Sequence, residues 1–276
     1  MKIVRGGMLF LGVILICFAV AFIVLPLPGD IPVLMYHFVD TSERARTEKN
    51  VVSEKSFWRQ MEFLHRFGYH AITLDEFYEI KMGIRKPRGK EVVLTFDDGN
   101  YTFADRAFPI LKKFSLPSAV FAVSDNARLG INGSMSPETL KKLQASGLVT
   151  IGCHSKTHPN LSELSHGQIL SELKDSKTEL ETMIGVPVYY LAYPSGNVDE
   201  RVIQNAREAG YRLAFTTSHK KLNRLNEGLF ALTRVKITST ADFPLAFWGQ
   251  VSGLYGAFKS LRSQSCQTRQ GQTMPS

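Results

Sequence analysis

Short apolar runs alternate with amphipathic helical stretches along most of this chain, and that alternation limits the fold more than any other feature. Ile31–His37, Glu91–Phe96, Ser118–Val123, Val149–Cys153, Val188–Tyr193, Arg212–Thr216 and Leu232–Ile237 read as buried strands. Between them lie stretches with helical periodicity and start and stop signals. Ser53 opens a helix carrying Phe57, Met61, Phe63 and Leu64, which ends at Gly68. Thr73–Glu76 and Ser165–Gln168 are capping boxes, Ser136-Pro137 is an N-cap followed by proline, and Asp199 caps a helix ending at Gly210. Phe103–Phe114 also reads as helix, whereas Thr41–Asn50 is polar and reads as loop. Strand–helix alternation favours a parallel sheet with helices outside, because parallel strands need crossover connections. About seven strands in roughly 210 residues fit a closed barrel better than an open sheet.

The first 29 residues belong to a different solvent. Met8–Leu25 is apolar and uncharged, follows Lys2 and Arg5, and ends in Pro26-Leu27-Pro28-Gly29. Eighteen residues rise about 27 Å as a helix, close to the thickness of a bilayer core. The preceding cations place residue 30 onward outside the cytoplasm, periplasmic or extracellular. Ala19-Val20-Ala21 offers a cleavage site, but four further apolar residues follow it and favour an uncleaved anchor; cleavage would give a secreted protein. The expected organisation is therefore an anchor or signal segment at 1–29, an α/β domain at 30–240, and a C-terminal helix with a polar, disordered tail at 241–276.

Composition removes several classes. Three cysteines, Cys17, Cys153 and Cys266, do not make a disulfide scaffold. A net charge of +8 reads as a solvated basic surface that favours anionic surroundings, without a Lys/Arg run of the kind that wraps nucleic acid.

Three clusters sit at strand ends. Thr95-Phe96-Asp97-Asp98-Gly99 puts two adjacent carboxylates at a strand exit, where one can hold a metal and its neighbour can take a proton. By itself the same stretch is also ordinary turn chemistry. His154-Ser155-Lys156-Thr157-His158 places two of the seven histidines within five residues, able to share an ion if the segment turns. Tyr193-Pro194-Ser195-Gly196 is a turn that can wall a pocket or offer a backbone N–H. Carboxylate plus two imidazoles leaves an open position for water, as in catalytic zinc sites. Strand exits of a parallel barrel share one face, so these distant segments can meet. Cys153 is expected to face the packing layer, opposite His154. Trp58 reads as helix packing, and Trp248 lies in a segment that is either membrane-facing or groove-covering.

On these residues the chain resembles the NodB-type polysaccharide deacetylases (carbohydrate esterase family 4-like) from about Ile31 to Ile237. Thr95-Phe96-Asp97-Asp98-Gly99 matches the family's T-F-D-D-G motif, and His154-Ser155-Lys156-Thr157-His158 matches H-S/T-x-x-H. The resemblance implies a distorted (β/α)7-like barrel and metal-dependent hydrolysis of N-acetyl groups from an N-acetylglucosamine-containing polysaccharide, releasing acetate. It implies Asp97 as general base, Asp98, His154 and His158 as ligands of a divalent ion, zinc being the usual one, and Tyr193 and Pro194 at the substrate, with the Tyr193 N–H on the oxyanion. Two family features are missing: Ala192 stands where an arginine orients the base, and Leu232-Thr233-Arg234-Val235 lacks the acid histidine. Both departures, together with Pro32-Val33-Leu34-Met35-Tyr36-His37, resemble the poly-N-acetylglucosamine deacetylase branch. His37 is therefore expected to supply the acid and Arg234 the cation beside Asp97. The rival readings are a membrane-tethered glycan-binding protein without turnover and a hydrolase of another acetylated or amide substrate.

Overall fold

In the computed structural model, which describes residues 30–217, 223–224, 228–241 and 244–252, the strands alternate their side chains between two apolar layers. Leu34, Tyr36, Val92, Leu94, Val120, Ile151, Leu191 and Ala214 face an outer layer beneath the helices. Val33, Val93, Ala119, Phe121, Tyr190, Ala192, Leu213 and Phe215 face the inside of the curl. Burial on both faces explains why these strands read as nearly continuous apolar runs.

The strands are β1 (Asp30–Ile31), β2 (Val33–Tyr36), β3 (Phe38–Asp40), β4 (Val51–Ser53), β5 (His70–Ala71), β6 (Glu91–Phe96), β7 (Ser118–Ala122), β8 (Val149–Cys153), β9 (Tyr190–Ala192), β10 (Leu213–Phe215), β11 (Asn223–Arg224) and β12 (Val235–Lys236). Eight form one parallel sheet, ordered β10-β9-β8-β7-β6-β2-β12 with β5 also on β6. The sheet curls until both edges reach one segment: Leu232 bridges Phe215 of β10, and Val235 pairs with Leu34 of β2. This architecture is consistent with the distorted barrel expected from the sequence. Helix Leu74–Lys81 plugs the curl near the N-terminal ends of the strands, with Leu74, Phe77 and Ile80 in the inner layer and the Phe77 ring 6.3 Å from Phe215.

The local departures have physical reasons. Pro32 has no N–H, so the first expected strand divides into β1, paired with β11, and β2. After His37 the chain leaves the sheet, and β3 pairs with β4 instead. The polar stretch 41–50 contains a helix, Ser42–Thr47. Thr41 caps it, and Arg44 bridges Asp40 and Glu48 at one-turn spacing. The helix expected at Phe103–Phe114 opens with a π-helical turn, Phe103–Ala107, ahead of Pro109, which has no N–H to donate. Cys153 is buried against Ser176, 2.9 Å away, on the helix side of β8. Trp58 packs edge-on against Phe114. Past residue 240, helix Pro244–Val251 packs on helix Glu54–Arg66 through Phe247 and Phe63, with ring centroids 5.8 Å apart.

The apolar segment Met8–Leu25 and the tail after Arg262 lie outside the described residues. Among the described residues no helix is long and apolar enough to cross a membrane.

Candidate active site

Strand β6 delivers its two carboxylates through a tight left-handed turn. Asp98 has φ 70° and Gly99 φ 64°. Aspartate tolerates that region better than most residues. Gly99 is needed for space as well, since a Cβ there would sit 3.0 Å from the Ala122 Cβ. The turn leaves Asp97 buried and Asp98 partly open to solvent.

The histidine segment leaves β8 in the same direction. The His154 N–H donates to Ala122 O (2.9 Å), which extends the pairing with β7 by one residue. Its Nδ1 lies 2.7 Å from the Ala192 carbonyl, which can only accept. Nδ1 therefore carries the proton, and Nε2 is left free to ligate. Ser155 and His158 both take positive φ, 61° and 65°, folding the segment back on itself. Glu172 on helix His166–Ile184 holds that fold, accepting from the N–H groups of Lys156 and Thr157 (both 2.9 Å) and from Thr157 Oγ1 (2.7 Å). The result brings His154 Nε2 and His158 Nε2 to 3.7 and 3.8 Å from one oxygen of Asp98. All three ligand atoms lie within 4.8 Å of one another. Two imidazoles and one carboxylate, with one ring fixed by an outer hydrogen bond, suit a divalent metal ion.

Asp97 is gripped from the far end of the chain. Arg234 donates from Nη1 to Oδ1 (2.6 Å) and from Nη2 to Oδ2 (2.7 Å). The guanidinium is fully enclosed, with Nε on Thr216 O (3.2 Å), Nη1 also on Thr95 Oγ1 (3.3 Å), and Cζ 5.5 Å from the centroid of the Phe121 ring. Burial would raise the Asp97 carboxyl, but the charges of Arg234 and His154 and the paired hydrogen bonds outweigh it and hold the pKa at about 2. Burial dominates at Asp98, whose pKa is raised despite the two imidazoles, and at His154, whose pKa is lowered.

These groups share a cleft of about 350 Å³ at the C-terminal ends of the strands, lined also by Met35, His37, Asn50, Ser195, Thr217 and Lys236. A motif resembling the deacetylases and a donor set suited to a metal thus meet in one cavity. A family model described as polysaccharide deacetylase matches residues 84–214. YxkH of Bacillus subtilis (strain 168), whose name places it among polysaccharide deacetylases, is 30% identical over 211 residues, spanning 76% of this chain and 72% of that protein. The chain belongs to the polysaccharide deacetylase family. A poly-beta-1,6-N-acetyl-D-glucosamine N-deacetylase of Staphylococcus aureus (strain MRSA252) is 25% identical over 201 residues, 69% of each chain. Among solved structures, the Streptococcus pyogenes deacetylase PplD superposes with a TM-score of 0.75 at 26% identity, over 82% of this chain and 99% of that one. IcaB from Ammonifex degensii gives 0.71 at 28% identity, over 80% and 97%.

Within this deacetylase, one expected assignment fails on geometry. The Tyr193 N–H is not available to an oxyanion, because it donates to Phe215 O (2.9 Å) and continues the β9–β10 pairing. Its ring is buried with the hydroxyl on Phe230 O (3.0 Å), and Pro194 is buried beside it. Neither residue lines the cleft. Ser195 does, at φ 57° in the turn that follows. That turn sits tightly on β10's extension: a Cβ on Gly196 would lie 2.0 Å from Thr217 Oγ1 and 2.5 Å from its backbone N.

His37 lies in the cleft with a buried Nδ1 that has no hydrogen-bond partner among the described residues. Burial pushes its pKa down first; Asp97 opposes this, and Lys236, Arg234 and His158 push it further down. Asn50, Thr217, Lys236 and Glu172 carry no motif, and reading the sequence does not single them out. Lys236 alone had an available signal, since it stands two residues after Arg234 on the last strand and therefore on the same face.

Proposed function

We propose that this polysaccharide deacetylase is a metal-dependent hydrolase that removes N-acetyl groups from an N-acetylglucosamine-containing polysaccharide and releases acetate. The observation that carries the reading is the meeting, in one cleft, of the Asp98/His154/His158 donor set with the buried Asp97–Arg234 pair. Similarity to the staphylococcal N-deacetylase supports the choice of glycan.

Asp98, His154 and His158 would hold the ion, with zinc favoured by two imidazoles and one carboxylate. When bound, the ion supplies Lewis acidity and lowers the pKa of water toward neutrality. Asp97 stays ionised throughout the working pH range and is fixed in orientation, because Arg234 occupies one lone-pair direction on each oxygen. The second direction on each oxygen remains to accept the proton of the attacking water. Ser195, rather than Tyr193, walls the cleft beyond β9. His37 gives a proton to the departing amine. Lys236 repels a second positive charge, so the ammonium product is less welcome than the neutral acetamide. The sequence Met8–Leu25 would carry the domain across a membrane and hold it on the outer side.

The test is acetate release from N-acetylglucosamine oligomers by the full chain, with chelator present and with Zn²⁺ or Co²⁺ restored. Release that requires the metal and disappears in Asp97→Asn is the expected result. No release with any metal would sink the reading and favour a glycan-binding protein or another acylated substrate.

A further inference from the structure

The end of the barrel opposite the cleft carries a surface of a different character, uncovered among the described residues. Helix Leu74–Lys81 plugs that end, and the chain then runs Lys81-Met82-Gly83-Ile84-Arg85-Lys86-Pro87-Arg88-Gly89-Lys90 into β6. Five of these ten residues are cations and none is acidic. Ile84 is 73% exposed and Met82 50%, and Phe67 at 43% joins them, since the Lys90 ammonium caps the Phe67 carbonyl (3.0 Å). The charges of Glu76, Glu79 and Glu91 reach Arg85, but Glu91 makes no ion pair with the loop among the described residues. It turns back to accept backbone N–H groups of Arg88 and Gly89. Glu76 pairs with Arg85, and Lys86 and Arg88 are exposed without an ion pair among the described residues.

The start of the domain lies beside this loop. Val33 of β2 is in register with Val93 of β6, so Ile31 is level with Glu91, where the loop ends. Only Pro26–Gly29 separate the apolar sequence Met8–Leu25 from β1. Four residues reach at most about 14 Å. The first described strand and the basic, apolar loop therefore share one end of the barrel, and in sequence the stretch suited to a bilayer precedes that strand by four residues. The cleft lies at the other ends of the strands, about 20 Å away for a six-residue strand.

We propose that loop 82–90, with Phe67, is a membrane-docking surface that takes an anionic phospholipid bilayer. Ile84 and Met82 enter the headgroup boundary, and Lys86, Arg88 and Lys90 meet the lipid phosphates. Docking turns the cleft outward, away from the lipid and toward polymer. The surface acts independently of the chemistry in the cleft, so it stands or falls separately from the deacetylase reading.

The experiment is hydrogen exchange of peptides covering 82–90 in the full chain, reconstituted in nanodiscs of zwitterionic lipid or of the same lipid with anionic phosphatidylglycerol. Exchange about tenfold slower in the anionic discs is expected. The difference should be lost in Lys86→Glu/Arg88→Glu and reduced in Ile84→Ser. Exchange across β6 reports that each variant remains folded. Equal exchange in the two lipids overturns the proposal: equally fast shows a solvated loop, and equally slow shows that a second copy or another protein covers it. Protection that survives the double charge reversal overturns it as well.

Discussion

Arg234 and Asp97 are 137 residues apart, and both are almost completely buried. A buried ion pair contributes little to stability compared with an apolar substitute, but losing one partner strands a charge. Arg234→Met is therefore expected to destabilise the protein by about 3–5 kcal/mol at pH 7, read from urea unfolding. The pH dependence should also change sign. In the wild type the Asp97 pKa is lowered from 3.8 to about 2. Its contribution of about 2 kcal/mol is present above pH 3.8 and is lost as pH falls toward 2. Without Arg234, burial raises the Asp97 pKa, so acidification relieves the variant instead of weakening it. His37 gives a second prediction at this scale. A proton donor works only while protonated, and the His37 pKa is lowered from 6.5. The alkaline limb of kcat/KM should therefore lie below pH 6.5. Lys236 is among the groups that lower the His37 pKa, so Lys236→Met should move the limb upward; a limb that stays in place would remove His37 from the donor role.

Single elements show what could be read from the sequence and what could not. Asp97, Asp98, His154 and His158 were legible because each follows an apolar strand, and strand exits in a parallel sheet share a face. Tyr193 was misplaced because whether its N–H is free depends on β10, more than twenty residues on, and no local pattern records that pairing. Helix Ser42–Thr47 was hidden because one-turn ion pairs and a cap stabilise it, with Ala45 its only buried residue. The loop holding both histidines depends on Glu172, which reaches it from helix His166–Ile184 and has no motif of its own. Glu172→Ala should weaken metal binding by about 10–100-fold in chelator competition. Its hydrogen bonds are largely exposed, so the unfolding free energy should change by only about 1–2 kcal/mol. Equal metal affinity in the variant would make Glu172 a surface residue. The turn after β9 is less forgiving. Gly196→Ala forces a Cβ into the Thr217 backbone at positive φ, and should lower both stability and turnover by moving Ser195 and Thr217 together.

For the molecule as a whole, closure of the curled sheet and assembly of the site depend on one segment. Leu232 donates its N–H to Ala214 O (3.0 Å) and accepts from Thr216 N (2.8 Å), which ties the segment to β10. Val235 and Lys236 pair with β2 on the other side. Arg234 lies between these attachments, and its Nε rests on Thr216 O, on the strand that Leu232 holds. Its reach to Asp97 is thus set by closure of the ring rather than by the motif on β6. If so, opening the ring and merely thinning the core should separate in experiment. Leu232→Pro removes the N–H and leaves a buried carbonyl unpaired, at a cost of about 1–3 kcal/mol for the lost partner alone. Leu232→Ala keeps the N–H and loses only packing, at about 2–5 kcal/mol. The alanine variant, although destabilised, should retain deacetylation and the loss of stability between pH 4 and 2 that marks the Arg234–Asp97 pair. The proline variant should lose both, because the guanidinium is no longer held over the carboxylate. If both variants lose activity in proportion to their stability, closure and catalysis are separate properties of the fold; if only the proline variant loses the acid slope, the segment that completes the barrel also arms its base.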